Sequence, residues 1–242
     1  MSNRSRVFLH GWGLHGGIWS ETAPAFNGLT PDLPGYGRVA SAAPYSAESL
    51  ADALAATLPD SVDLCGWSMG GMVALALAAR HPHKVARLIL LATTPVFVQR
   101  ADWPYGMQPE VLAEFARALQ QDYQATLLRF LSLQARGGEQ ARAVVERLRA
   151  RVFERGEPRL TTLAAGLELL RQVDLRAVVN QVQCPVLIMH GAYDTLCCVE
   201  SGHWLAEHLP AAQLRVHARA AHAPFLSHPD WFASELQSFL QT

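Results

Sequence analysis

Short apolar runs alternate along this chain with longer segments whose apolar positions recur at helical spacing. The runs span residues 7–9, 62–65, 88–91, 186–189 and 214–216. The runs 88–91 and 186–189 are continuously apolar, which predicts strands inside a mostly parallel sheet. The other three are predicted as strands that end at turns bearing glycine or histidine. Residues 69–80 and 230–240 have helical patterns. The alternation predicts an α/β fold with a mostly parallel central sheet and helices on both faces.

Residues 110–180 interrupt this alternation. Their apolar spacing is helical from 110 to 151 and again from 160 to 171, with no β-prone run between. We therefore predict a helical lid insertion over residues 110–180, set into a core formed by residues 1–109 and 181–242.

Composition and charge narrow the class of protein. The 242 residues are 50% hydrophobic and carry a formal charge of -1, which fits one large globular domain and gives no reason to expect nucleic acid or an anionic membrane as partner. Residues 117–171 nevertheless hold ten arginines against six acidic residues. The predicted lid is therefore basic on an acidic body.

Targeting and metal-binding patterns are weak in this sequence. The first residues lack a signal-peptide apolar region, and no apolar stretch approaches the roughly 20 residues of a membrane span, so we expect a cytoplasmic protein. We also expect a monomer. The four cysteines lack paired spacing, so neither a disulfide framework nor a zinc site is indicated.

The stretch GWSMGG at residues 66–71 contains the pattern G-x-S-x-G between a predicted strand and a predicted helix. In this context the pattern is typical of a sharp turn that presents a nucleophilic serine, here Ser68. The backbone amide of Met69 then points at a developing oxyanion, and the amide of Trp12, in the glycine turn after the first strand, is the expected second donor. His10 is expected to hold that turn by hydrogen bonds.

A serine needs a base and an orienting acid, which follow it in the order acid and then histidine in hydrolases with this motif. Asp194 follows a late predicted strand, and His222 follows the last one. Asp174 is a rival acid, but it does not follow a strand. We therefore predict Ser68, Asp194 and His222 as the catalytic residues.

Several motifs together resemble a known family. They are HGWG at 10–13, DLPGYGR at 32–38, GWSMGG at 66–71, RFLSLQ at 129–134 and AAHAPFLSHP at 220–229. They are similar to the pimeloyl-[acyl-carrier protein] methyl ester esterases of biotin synthesis, which have the α/β-hydrolase fold. The resemblance implies hydrolysis of pimeloyl-carrier-protein methyl ester to the free carboxylate and methanol, activity on small esters, and no metal or organic cofactor.

The resemblance also implies roles for particular residues. Arg129 and Arg142 match positions that dock the acyl-carrier protein, whereas Ala125 and Glu146 depart from that pattern. The implied substrate contacts are Trp12, Ser68, Met69, Phe130, Leu131, Ser132, Leu133 and Gln134.

Other departures concern the N-terminal hairpin usual in the family, which looks missing or vestigial, and residues 195–198, which replace a valine-proline turn. Three alternatives remain open. They are a general short-chain carboxylesterase or thioesterase, a carbon–carbon bond hydrolase of the same fold, and a non-catalytic binding protein.

Overall fold

The computed structural model describes residues 4–241, and the strands of this range form one six-stranded parallel sheet. The outer limits predicted for the core, residues 1 and 242, lie outside the described residues. The strand order is β2-β1-β3-β4-β5-β6. The strands are β1 (Arg6–Leu9), β2 (Gly28–Leu29), β3 (Val62–Trp67), β4 (Val85–Leu91), β5 (Val186–Gly191) and β6 (Ala212–His217).

Nine α-helices lie around this sheet within residues 4–241. They are α1 (Ala47–Ala55), α2 (Met69–Arg80), α3 (Pro109–Gln121), α4 (Tyr123–Gln134), α5 (Ala141–Val152), α6 (Leu160–Gln172), α7 (Val199–His208), α8 (Pro224–Ser227) and α9 (Pro229–Gln241). All five runs fall within strands. Every residue of β3 is buried, Asp63 included, and α2 is buried except at Arg80. The predicted α/β class is confirmed.

The chain reverses its direction of travel across the sheet between β1 and β3. It passes from β1 to β2 on one side and then to β3 on the other, so the carboxyl ends of β1 and β3 are neighbours. Their register pairs Leu9 with Gly66. Ligands of open parallel sheets bind at such a reversal, outside the carboxyl ends of the strands. The turn after β1 and the turn containing Ser68 therefore meet there.

The strand at this edge of the sheet, β2, is short. Only Gly28 and Leu29 pair with β1, and Leu29 is exposed. Within residues 4–241 no further strand covers this edge.

The segment predicted as a lid folds as four helices, α3 to α6, and no strand interrupts them in the described chain. The helical period over 110–151 is divided into three helices rather than one. Asp122 starts α4 by accepting a hydrogen bond from the Ala125 amide, and Gly137 adopts φ +81° in the next turn. The division into lid and core at residues 110 and 180 stays a prediction.

Candidate active site

Ser68 occupies the single position between β3 and α2. Its backbone has φ 56° and ψ -123°, a region that side chains rarely adopt. The turn is held by its own amide, which donates to the Leu91 carbonyl at 3.0 Å, and by its carbonyl, which accepts from Thr93 Oγ1 at 2.7 Å. The neighbouring strand thus fixes the backbone that carries the hydroxyl.

The glycines around Ser68 are required by close backbone approach. A Cβ on Gly66 would lie 2.3 Å from the Gly70 carbonyl oxygen, and one on Gly70 would lie 2.5 Å from the His10 carbonyl oxygen. Neither backbone atom can move aside as a flexible side chain could. Glycine is therefore the residue that lets this turn pack against the end of β1.

The side chains of Asp194 and His222 meet in the interior, at the carboxyl ends of β5 and β6. His222 Nδ1 lies 2.8 Å from Asp194 Oδ2, and both side chains are almost fully buried. With the Nδ1 proton donated to the carboxylate, His222 Nε2 carries the lone pair. Among residues 4–241, His222 Nε2 has no hydrogen-bond partner, and no hydrogen bond joins it to the Ser68 hydroxyl. The pairing of Ser68 with His222 stays a prediction.

The loop after β5 holds the other oxygen of Asp194. Oδ1 accepts hydrogen bonds from the amides of Leu196 and Cys197, at 2.9 and 3.0 Å. The residues that depart from the valine-proline turn therefore still support the acid through their backbone. The Cys197 thiol is buried, and burial raises its pKa.

His190 is a buried histidine beside this acid. Its Nε2 lies 2.8 Å from the Cys197 carbonyl oxygen and 3.7 Å from Asp194 Oδ2. Burial lowers the pKa of His190, which favours the neutral ring.

Asp174, the rival acid, lies elsewhere. Its carboxylate is partly exposed and pairs with Arg176 at 2.7 Å and Arg100 at 3.0 Å. These arginines hold the pKa of Asp174 below its usual value. The contacts engage Asp174 in a surface ion-pair network, away from His222.

The backbone of His222 is held on both sides. Its amide donates to the Gln134 carbonyl at 3.0 Å, and its carbonyl accepts from Trp67 Nε1 at 2.7 Å. Trp67 was not among the predicted site residues, although it lies inside the serine motif. Its role depends on a contact between positions 155 residues apart, which no local pattern reveals.

Trp12 lies in the turn after β1, next to the nucleophile. A Cβ on the adjacent Gly11 would lie 3.2 Å from Ser68 Cβ. The amides of Trp12 and Met69 make no backbone hydrogen bond in the described chain. Their role as oxyanion donors stays a prediction. His10 holds the turn as expected, because its Nε2 accepts from the Leu33 amide and its Nδ1 lies 2.9 Å from the Gly11 carbonyl oxygen.

The predicted substrate wall, residues 130–134, forms the last turn of α4 and does not face one way. Phe130 packs edge-on against the Trp12 ring, with 4.8 Å between centroids, and Gln134 is buried beside His222. Leu131 is buried, whereas Leu133 is half-buried. Ser132 is exposed and donates to the Leu128 carbonyl, so its hydroxyl is not brought to the site.

The two predicted docking arginines lie on the surface of helices α4 and α5. Arg129 is 3.7 Å from Glu114 and lies over the Phe115 ring. Arg142 pairs with Glu146 at 3.1 Å. Glu146 is one of the two residues that depart from the family pattern. Each guanidinium therefore has an acidic neighbour within its own chain.

Within residues 4–241, no group of three or more histidine, cysteine or acidic side chains is arranged to hold a metal ion. No helix in this part of the chain has the length and apolar character needed to cross a membrane.

Comparison with protein families places residues 7–229 in the family described as alpha/beta hydrolase fold. The pimeloyl-[acyl-carrier protein] methyl ester esterase of Aromatoleum aromaticum is 45% identical, with 95% of each chain covered. The protein of the same name from Nitrosomonas europaea is 42% identical and covers 94% of this chain and 92% of its own.

Solved structures agree in fold. An esterase from Exiguobacterium antarcticum superposes with a TM-score of 0.90 at 26% identity, covering all of this chain and 93% of the other. An enol-lactonase from Burkholderia xenovorans superposes with a TM-score of 0.82 at 22% identity, covering all of this chain and 93% of its own, and indicates the fold alone.

Proposed function

This chain belongs to the family of the pimeloyl-[acyl-carrier protein] methyl ester esterases, within the α/β-hydrolase fold, and we propose that it hydrolyses the methyl ester of pimeloyl-carrier protein. The observation that carries the substrate assignment is the 45% identity to such an esterase over 95% of both chains. The hydrogen bond between Asp194 and His222, and the contact of Trp67, the neighbour of Ser68, with the His222 carbonyl, support the reaction type.

The proposed reaction has two steps. His222 Nε2 takes the Ser68 proton as Oγ attacks the ester carbonyl, and the amides of Trp12 and Met69 donate to the oxyanion. The tetrahedral intermediate expels methoxide, which receives the proton from His222 and leaves as methanol. Asp194 stabilises the imidazolium that exists between these transfers.

The second step releases the acid. A water molecule gives a proton to His222 and attacks the acyl-enzyme carbonyl, and collapse of the second intermediate returns the proton to Ser68 Oγ. The products are the free pimeloyl carboxylate, still on its carrier, and regenerated enzyme. No step requires a metal or an organic cofactor.

The lid is the proposed substrate wall and docking surface. Phe130 and Gln134 support the first role, because they touch the Trp12 ring and the His222 amide. The excess of arginine between residues 117 and 171 supports the second, since carrier proteins are acidic partners. The location in the cytoplasm and the monomeric state stay predictions.

The test is release of free pimeloyl-carrier protein from its methyl ester by the purified protein, with a simple short-chain ester and the Ser68→Ala variant alongside. We expect a far higher kcat/KM for the carrier-bound ester and loss of both activities in the variant. Cleavage of the simple ester alone would identify a general esterase. Full activity of Ser68→Ala would contradict the mechanism.

A further inference from the structure

The Gly11–Trp12–Gly13 turn is held by side chains from a second loop, residues 32–38. The Gly13 amide donates to the Tyr36 hydroxyl at 3.2 Å. Tyr36 is 2% exposed, and its ring packs edge-on against His10 with 4.9 Å between centroids. The phenol therefore has a fixed position from which it orients the Trp12–Gly13 peptide.

His10 orients the preceding peptide. Because its Nε2 accepts from the Leu33 amide at 2.9 Å, its proton is on Nδ1, which donates to the Gly11 carbonyl. That carbonyl belongs to the same peptide unit as the Trp12 amide. Two successive peptide planes, one on each side of the Trp12 Cα, are thus held by His10 and Tyr36.

The predicted lid contacts both the Gly11–Trp12–Gly13 turn and the 32–38 loop through the first two turns of α6. Trp12 Nε1 donates to the Leu163 carbonyl at 2.9 Å, and Thr162 Oγ1 donates to the Gly35 carbonyl at 3.1 Å. A Cβ on Gly166 would lie 2.6 Å from Trp12 Cδ1 and 3.6 Å from the Tyr36 hydroxyl. Helix α6 therefore packs closely on both Trp12 and the tyrosine.

We propose that Tyr36 is a positioning residue for the oxyanion hole, and that α6 of the lid completes the hole by holding Trp12 and residue 35 in place. The proposal rests on the proposed esterase function. An oxyanion donor is effective when it already points at the position of the developing charge, so a loosely held Trp12 amide lowers the rate of the chemical step. Tyr36 acts through Gly13 and does not touch the reacting atoms.

The Tyr36→Phe substitution tests this role because it removes the hydroxyl and keeps the ring that packs on His10. We expect kcat for p-nitrophenyl acetate to fall about ten-fold while KM changes by less than about two-fold, since the loss falls on the transition state. The rate at which a fluorophosphonate labels Ser68 should fall similarly, because that reaction also builds negative charge on an oxygen in the same hole.

The matched control is Tyr45→Phe. The Tyr45 hydroxyl donates to the Pro34 carbonyl at 3.0 Å, in the same loop, and its hydrogen bond in the described structure is not to the Gly11–Gly13 turn. This variant should keep the kcat and the labelling rate of the unmodified protein. Unchanged rates in Tyr36→Phe, or equal losses in both variants that follow a lowered Tm, would overturn the proposal.

Two lid variants test the contribution of α6. Thr162→Val removes the hydrogen bond to Gly35 with little change of shape, and Gly166→Ala places a methyl group against Trp12. Both should lower kcat more than they alter KM. The double variant Thr162→Val/Tyr36→Phe should lower kcat by less than the product of the two single fold-changes, because both residues hold the same Gly11–Trp12–Gly13 turn. If the two fold-changes in kcat simply multiply, Tyr36 and α6 do not act on the same turn, which would contradict the proposal.

These readouts separate the two proposals. Simple-ester hydrolysis and Ser68 labelling require the oxyanion hole but no carrier protein. Cleavage of p-nitrophenyl acetate without cleavage of the carrier-bound ester would contradict the proposed substrate. The comparison of Tyr36→Phe with Tyr45→Phe would still test the positioning role. Absence of both hydrolysis and labelling would overturn the proposed function and the positioning role together.

Discussion

The positions of Ser68 and Asp194 are each held by a few hydrogen bonds. The backbone of Ser68 lies in a strained region, which costs of order 1–3 kcal/mol, and contacts with Leu91 and Thr93 hold it there. Asp194 uses both carboxylate oxygens, one toward His222 and one toward the loop amides. The orientation of the His222 ring, the proposed base, is therefore fixed by contacts within the protein.

Replacing the acid provides the sharpest test at this scale. Asp194→Asn should lower kcat by roughly 10³- to 10⁴-fold, because the amide cannot stabilise the imidazolium and favours the wrong histidine tautomer. The measurement is steady-state hydrolysis of a short ester, with circular dichroism to verify folding.

Asp174→Asn is the matched control for that substitution. It alters an acid that pairs only with surface arginines in the described structure, and it should keep kcat within about two-fold. A large loss in Asp174→Asn with full activity in Asp194→Asn would reverse the assignment of the acid.

Helices α4, α5 and α6 each contact a different part of the rest of the protein. The α6 helix contacts Trp12 and residue 35, α4 contacts Trp12 and the His222 amide, and α5 is tied to the core by Arg151 and Arg147, which pair with Glu21. The surface pairs are worth at most about 1 kcal/mol each. The buried apolar contacts therefore contribute most to holding these helices in place.

The docking role predicted for the lid surface is tested with Arg142→Ala. If Arg142 meets the carrier protein, the variant raises KM for the carrier-bound ester about three- to ten-fold and leaves simple-ester kinetics unchanged, with the difference shrinking at high salt. Arg142 pairs with Glu146 in the free protein, so Glu146→Gln should lower the same KM.

Arg171→Ala is the control for this experiment, because Arg171 pairs with Glu168 on another lid helix. Equal effects of Arg142→Ala and Arg171→Ala would indicate a diffuse charge effect in place of a docking contact.

At the scale of the whole molecule, buried histidines link stability to pH. Burial lowers the pKa of His10 from its usual value of 6.5 to about 4, and burial also lowers the pKa values of His15 and His190. Between these pH values the unfolded chain binds protons that the folded chain does not. The free energy of unfolding therefore falls as the pH drops from 6.5 toward 4.

We expect His10 to contribute about 3 kcal/mol of this loss across the whole window. Urea unfolding at about pH 7 and about pH 5 measures the slope. His83→Gln, at an exposed histidine, should leave the pH dependence unchanged, whereas His10→Gln should reduce it. Equal slopes in all three proteins would show that His10 does not carry the effect.

Local patterns in the sequence determined the parallel α/β architecture and the turn that carries Ser68. Continuous apolar runs require strands buried on both faces, and the close backbone approaches around Gly66 and Gly70 leave glycine as the residue that fits. The order of acid and histidine also follows from position after a strand. These features depend on residues close together in the sequence, so each can be predicted from a short segment of the chain.

The tertiary structure alone decided which distant groups meet. The contact of Trp67 with the His222 carbonyl, the support of Gly13 by Tyr36 and the packing of Gly166 on Trp12 join positions far apart in the chain. It also turned Ser132 outward, because consecutive residues of a helix point in different directions. Such contacts arise when the lid and the two loops fold together over the carboxyl ends of the strands, and no local spacing encodes them.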